Sequence, residues 1–138
     1  MTNLKLYNIA IFFYKKRIPF LPKLLNRLLR ILYSCEIPNS ITMGTNVVFS
    51  HKGLGVVIGH DTVIGDNCKI LQNVTIGGRS GIRANPKIGN SVLIGAGAII
   101  LGDISIGDNA KIGAGAVVVT NVAEGQTVVG NPAKPINE

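Results

Sequence analysis

Tryptophan is absent from these 138 residues, and aromatic residues make up only 5% of them. A core without large rings must be narrow and filled by aliphatic side chains. Cysteine occurs only at 35 and 68, too few for a disulfide framework. The early apolar run "IAIFF" is too short to span a bilayer, and no small-residue cleavage site follows it. Together these point to a reducing cytoplasm. Acids are missing altogether before Glu36, whereas Lys5, Lys15, Lys16, Arg17, Lys23, Arg27 and Arg30 supply seven of the fourteen bases. The rest of the chain balances seven bases against seven acids, so the net +7 belongs to the first 30 residues. No Gly-rich phosphate loop is present. Two His and two Cys, widely separated, fit no metal-ligand spacing, and no metal is expected.

What the sequence does contain is a beat of six. Ile58, Ile64, Ile70, Ile76, Ile82, Ile88, Ile94, Ile100, Ile106, Ile112 and Val118 are evenly spaced, and Gly follows seven of these eleven. Four residues after most beats stands a second small or apolar residue: Cys68, Val74, Val92, Ala98, Ile104, Ala110, Ala116 and Val122. Neither a helix of period 3.6 nor a plain two-period strand asks for this rhythm. Hexapeptide repeats predict a parallel β-helix, in which three short strands and three tight turns make one triangular coil. Beat residues point inward and stack on their equivalents ~4.8 Å away, and no coil buries its apolar face alone. The fold class is therefore all-β, a left-handed parallel β-helix with a short N-terminal α-helical arm.

Residues 1–34 read as that arm, basic and amphipathic. Leu21, Leu24, Leu25, Leu28, Leu29 and Leu32 follow helical spacing, and Pro19 and Pro22 should divide the arm into two helices. The β-helix is expected over 35–123. A loop is expected at about 78–87, where "GRSGIRANPK" is polar and basic although Ile82 keeps the beat. Residues 124–138 lose the beat and should cap the prism. The arm admits three roles: packing on the prism and on neighbouring subunits, lying on an anionic membrane surface, or binding nucleic acid. The last is disfavoured because no recognised binding motif accompanies the charge.

The repeat, with "SHKGLGVVIG", "ILQNVTIGG", "NPKIGNSVLIGAGAIILG" and "KIGAGAVVVTNVAEGQTVVGNPAKPI", resembles the hexapeptide acyltransferases, and among them serine O-acetyltransferase and its polysaccharide-modifying relatives. The resemblance covers about residues 35–135. It implies a homotrimer that binds acetyl-CoA between subunits, with a His as general base for direct transfer to a hydroxyl. His51 matches that base, and imidazole titrates in the range the role needs. Glu36 stands fifteen residues earlier, where serine acetyltransferases carry the Asp that orients the base. His60 reads as an exposed turn residue.

Two positions depart from the serine enzymes: Ser50 replaces an Asp and Asn85 replaces a His. Both uncharged residues suit a sugar hydroxyl better than the charged ends of serine, so the expected acceptor is a glycan or a lipid-linked glycan precursor. Serine acetylation is the alternative, and a non-catalytic binding scaffold the second alternative. For CoA the matching positions are Gly78, Ala96 and Ala114, with Lys134 the first choice for the phosphates, followed by Arg79, Arg83, Lys87 and Lys111. A covalent route through Cys35 or Cys68 is disfavoured, because the family transfers directly and Cys68 falls at an inward position.

Overall fold

The computed structural model describes residues 2–81 and 84–136. It opens with two helices, α1 (Lys5–Lys15) and α2 (Leu21–Tyr33). Pro19 lies in the link between them, and Pro22 lies in the first turn of α2, where its missing N–H leaves no helical bond unmade. The prism then begins at Glu36, bridged to Val57 in the next coil. Its first coil continues through β1 (Thr42–Met43) and β2 (Val48–Phe49). The second holds β3 (Val57–Ile58), β4 (Val63–Ile64) and β5 (Lys69–Ile70). In the third are β6 (Thr75–Gly77), β7 (Lys87–Ile88) and β8 (Leu93–Ile94). The fourth comprises β9 (Ile99–Leu101), β10 (Ser105–Ile106) and β11 (Lys111–Ile112). Last come β12 (Val117–Val118), β13 (Thr127–Val129) and β14 (Lys134–Ile136).

Three flat faces result. The first stacks Glu36, β3, β6, β9 and β12; the second β1, β4, β7 and β10; the third β2, β5, β8, β11 and β13, all parallel. β14 folds back antiparallel on β13 and closes that sheet. This is a left-handed hexapeptide β-helix. The beat residues Ile58, Ile64, Ile70, Ile76, Ile88, Ile94, Ile100, Ile106, Ile112 and Val118 are all buried, as are the small residues four places on.

The turns explain the hexad. The residue three places after the beat is in the left-handed region at Asp61, Asn67, Asn73, Ser91 and Asn109, and at Gly97 and Gly115. Asn, Asp and Gly tolerate that region best. The residue just after the beat packs on the coil above: a Cβ on Gly65 would lie 2.6 Å from the Gly89 carbonyl oxygen.

Register also locates two interruptions. A regular coil takes eighteen residues, as from Ile58 to Ile76. Between Thr42 and its partner Val63 the chain uses twenty-one, and between Ile64 and Ile88 twenty-four. The first surplus is the short 3-10 turn Ser50–Gly53. The second lies between β6 and β7, where twelve residues advance the chain by a single face. The expected loop occupies this stretch, and Ile82 falls outside the described residues.

The arm differs from its sequence pattern. Of the six leucines at helical spacing only Leu29 is buried, whereas Leu24, Leu28 and Leu32 are exposed. A narrow coil and one short helix are all that α2 has to pack against. They cover one strip of it and leave the rest of the leucine face bare.

Candidate active site

The prism has three edges, and each is built differently. On the second edge, where the chain passes from second to third face, a polar ladder runs between coils. Asp66 Oδ1 accepts from the Thr45 backbone N–H (2.6 Å) and hydroxyl (2.9 Å), Asn90 Oδ1 from Asp66 N (2.8 Å), and Asp108 Oδ1 from Asn90 N (2.7 Å). The two bonds from Thr45 hold the Asp66 carboxyl below its ordinary range. Such an edge is structural, since its polar groups already satisfy one another.

The third edge, from third to first face, is open by comparison. Its turns carry His51, Gln72, Ala96 and Ala114 in successive coils. A backbone ladder ties them: Asn73 N–H donates to Leu54 (2.9 Å), Gly97 to Gln72 (2.9 Å) and Gly115 to Ala96 (2.8 Å). Ala96 and Ala114 keep the later coils of this edge free of bulky side chains, so an extended ligand can lie along the backbone there. Lys134 opens β14 opposite Val129, where the third face reaches this same edge. The structure thus brings His51, Ala96, Ala114 and Lys134 to one edge of a single chain.

His51 sits in the first surplus turn, with φ 51° and Lys52 after it at 57°. Two consecutive non-Gly residues in the left-handed region are costly and persist only where neighbours hold them. Here the arm does so. Asn3 exchanges two hydrogen bonds with the Phe49 backbone, both 2.8 Å. Gly55 N–H donates to the Tyr33 carbonyl at 3.0 Å, and the Lys52 ammonium lies 5.9 Å from the centre of the Tyr33 ring. His51 itself is exposed, and Ser50 is half-buried.

Glu36 does not meet His51 in this chain. Its carboxylate pairs with Arg30 at 3.4 Å, and among the described residues no ion pair joins it to the imidazole. Fifteen residues would approximate one coil, but the surplus turn lengthens this coil to twenty-one. The basic helix also supplies a competing partner.

Gly78, Arg79 and Asn85 belong to the first edge, on the loop that leaves β6. Asn85 packs against Gly59, where an added Cβ would come within 2.7 Å of its Oδ1. Ser50 and Asn85, expected to share an acceptor, therefore lie on different edges of one chain. Lys87 and Lys111 begin β7 and β11; Arg83 is outside the described residues. His60, exposed, is bonded through Nδ1 to the Ser40 hydroxyl at 3.0 Å. With Lys23, Arg27, Arg30 and Glu36 it lines a cleft of about 310 Å³ under α2.

Both cysteines are free and buried. Burial pushes both thiols up, and Cys68 donates to the Gly89 carbonyl at 3.1 Å. Neither has the exposed thiolate that nucleophilic catalysis needs. Among the described residues no group of three or more His, Cys, Asp or Glu could hold a metal ion.

Sequence reasoning missed Gln72. Its Oε1 is buried without a partner on the third edge, one coil beyond His51. A long polar side chain at an edge position where later coils place Ala was the available signal.

Known proteins resemble this chain in sequence and in fold. Residues 85–120 match the family described as bacterial transferase hexapeptide (six repeats). The chain is 43% identical over 72 residues to serine acetyltransferase of Synechococcus elongatus, covering 52% of this chain and 29% of that protein. It is 38% identical over 72 residues to the Bacillus subtilis enzyme, covering 52% and 33%. Soybean serine acetyltransferase apoenzyme superposes with a TM-score of 0.85 at 39% identity, over 95% of this chain and 55% of that one. The Neisseria gonorrhoeae enzyme in complex with serine gives 0.85 at 42%, over 94% and 54%. A serine acetyltransferase in complex with CoA gives 0.83 at 34%, over 95% and 54%. The chain thus spans about a third of those curated relatives and about half of those solved chains. Those relatives are named for serine, whereas Ser50 and Asn85 lead to the expectation of a glycan acceptor.

Proposed function

We propose that this chain forms the catalytic β-helix of an acetyl-CoA-dependent O-acetyltransferase that acylates the hydroxyl of serine. The observation that carries the reading is the third edge, where His51, Ala96, Ala114 and Lys134 line one continuous backbone ladder. On this reading pantetheine lies along Ala96 and Ala114, its amides bonding to edge backbone groups. Lys134 holds a CoA phosphate at the far end. His51 removes the proton from the acceptor hydroxyl, and that oxygen attacks the thioester carbonyl carbon. Backbone N–H groups stabilise the oxyanion. The carbon–sulfur bond then breaks, and the imidazolium returns its proton to the CoA thiolate.

Gly78 and Asn85, on the first edge, complete such a site only from a neighbouring subunit, which supports a homotrimer with its sites between chains. Glu36 orients the base by exchanging Arg30 for the imidazole. The Arg30 and Glu36 side chains are 72% and 51% exposed, and exposed pairs contribute about 0–1 kcal/mol, so the exchange costs little. A glycan hydroxyl remains the second reading, because Ser50 and Asn85 offer no charge to the ammonium and carboxylate of serine.

The experiment is CoA thiol release from acetyl-CoA, with serine and with hexoses or oligosaccharides as acceptors. The two buried cysteines keep the background low. Release with serine, lost in His51→Ala while CoA binding persists, supports the proposal. Release only with sugars moves the acceptor to the second reading, and undiminished release by His51→Ala refutes the general base.

A further inference from the structure

We propose that the outer face of α2, with the adjoining side chains of α1, docks on an anionic phospholipid bilayer. The inference is independent of the acetyl-transfer reading. Phe20, Leu24, Leu28, Ile31 and Leu32 fall within about a third of the helix circumference at 100° per residue. All five are exposed, Phe20 at 84%, Ile31 at 77% and Leu32 at 59%. Phe12, Tyr14 and Ile18 are also exposed, on α1 and the link, although Phe12 and Tyr14 line a separate groove with Ile41, Thr42 and Met43 of the first coil. Lys23, Arg27 and Arg30 border the stripe on the side of the cleft under α2, where Arg30 pairs with Glu36, and Lys15, Lys16 and Arg17 stand at the end of α1 and the start of the link. The Lys16 ammonium lies 4.8 Å from the centre of the Phe12 ring, placing a cation directly over an exposed aromatic. No acid occurs before Glu36.

Charge decides the occupant. Packing two copies of this face together would bring like charges into a desolvated contact. An anionic lipid surface instead complements the exposed cations beside the stripe, of which Arg30 is already paired with an acid, Glu36, while its interfacial region receives the apolar stripe. This is the arrangement of an amphipathic helix lying in the plane of a membrane. Among the described residues no helix is long and apolar enough to cross one, so the contact is peripheral.

Co-sedimentation of the whole chain with vesicles tests it. Vesicles of equal parts phosphatidylcholine and phosphatidylglycerol should pull the protein down, and phosphatidylcholine alone should not. Lys23→Gln and Arg27→Gln should each weaken binding about fivefold, since a basic residue near such a surface contributes about 1 kcal/mol. The double variant Phe20→Ser/Ile31→Ser should weaken it by more than about tenfold. Circular dichroism should show both sets of variants folded. Absence of binding to anionic vesicles overturns the proposal. So does binding indifferent to Phe20→Ser/Ile31→Ser, which would reduce it to nonspecific attraction. If sedimentation velocity shows that double variant dissociating an oligomer that does not bind vesicles, the face is a contact between copies and the proposal fails.

Discussion

Asn3 and Phe49 are 46 positions apart and exchange a pair of 2.8 Å hydrogen bonds, the amide side chain reading the backbone N–H and C=O as a neighbouring strand would. Phe49 is buried two residues before His51, so the arm fixes the entry to the turn that carries the proposed base. Asn3→Ala removes both bonds and should cost about 1–3 kcal/mol. Because the loss falls beside the strained turn, CoA thiol release should fall while CoA affinity, set further along the third edge, stays near wild type. Equal losses in both would mean that the whole prism, not the turn, had loosened.

Glu36 supplies a second test through its present partner. Glu36→Gln should lower kcat by at least tenfold if the carboxylate orients the imidazole. Arg30→Ala should change stability by less than about 1 kcal/mol, as an exposed pair implies, and should leave kcat equal or higher by releasing that carboxylate. Steady-state kinetics on both variants read this directly. A drop in kcat for Arg30→Ala would show that the Arg30–Glu36 pair, not a Glu36–His51 pair, is the working arrangement.

The beat of six made the prism legible because each inward position tolerates one kind of side chain. Ile70 stacks in register between Phe49 and Ile94, fully buried. The interruptions were harder to read. The loop was visible as a polar, Pro-containing stretch in place of a hexad. The three surplus residues at Ser50–Gly53 were not, because His51 and Lys52 adopt left-handed φ through tertiary support, and only Gly53 and Gly55 after them carry the usual turn signal. The same support hid the arm's contribution: Asn3 pairs with backbone, which has no sequence signature. The partner of Glu36 in this chain was illegible for a related reason, since spacing along the chain takes no account of an arginine on a packed helix.

Ala114 is exposed on the third edge, two coils beyond Gln72. A bulky ring there should not disturb the core, because the neighbouring inward position is Ala116, already fully buried on the other side of the turn. Ala114→Phe should therefore keep the denaturation midpoint while raising KM for acetyl-CoA at least tenfold, with little change in KM for the acceptor. Calorimetric titration with CoA checks it; unchanged affinity would remove pantetheine from this edge.

Ile94 is completely buried midway along the third face, in register with Ile70 before it and Ile112 after it. Ile94→Ala opens a cavity that neighbouring coils cannot close and should cost about 2–5 kcal/mol. Leu93, its exposed neighbour, should cost far less when cut to Ala. Urea midpoints for the pair measure how much of the stability lies in the inward stack.

Asp66 gives the fold a pH dependence whose sign can be worked out. Its carboxyl lies below the ordinary range because Thr45 donates to it twice. A group with a depressed value in the folded state stabilises fully above its unfolded value of about 3.9, and that contribution is lost as pH falls through the folded value. Asp66→Asn keeps an Oδ1 that can accept from Thr45, as Asn90 Oδ1 already does from Asp66 N one coil on, but it carries no charge to lose. Wild type should therefore match or exceed the variant at pH 7. It should then lose ground to the variant as the solution is acidified below about pH 4. Urea midpoints for both proteins at neutral and acid pH decide the matter: parallel curves would mean that the Asp66 bonds to Thr45 contribute nothing that depends on the charge.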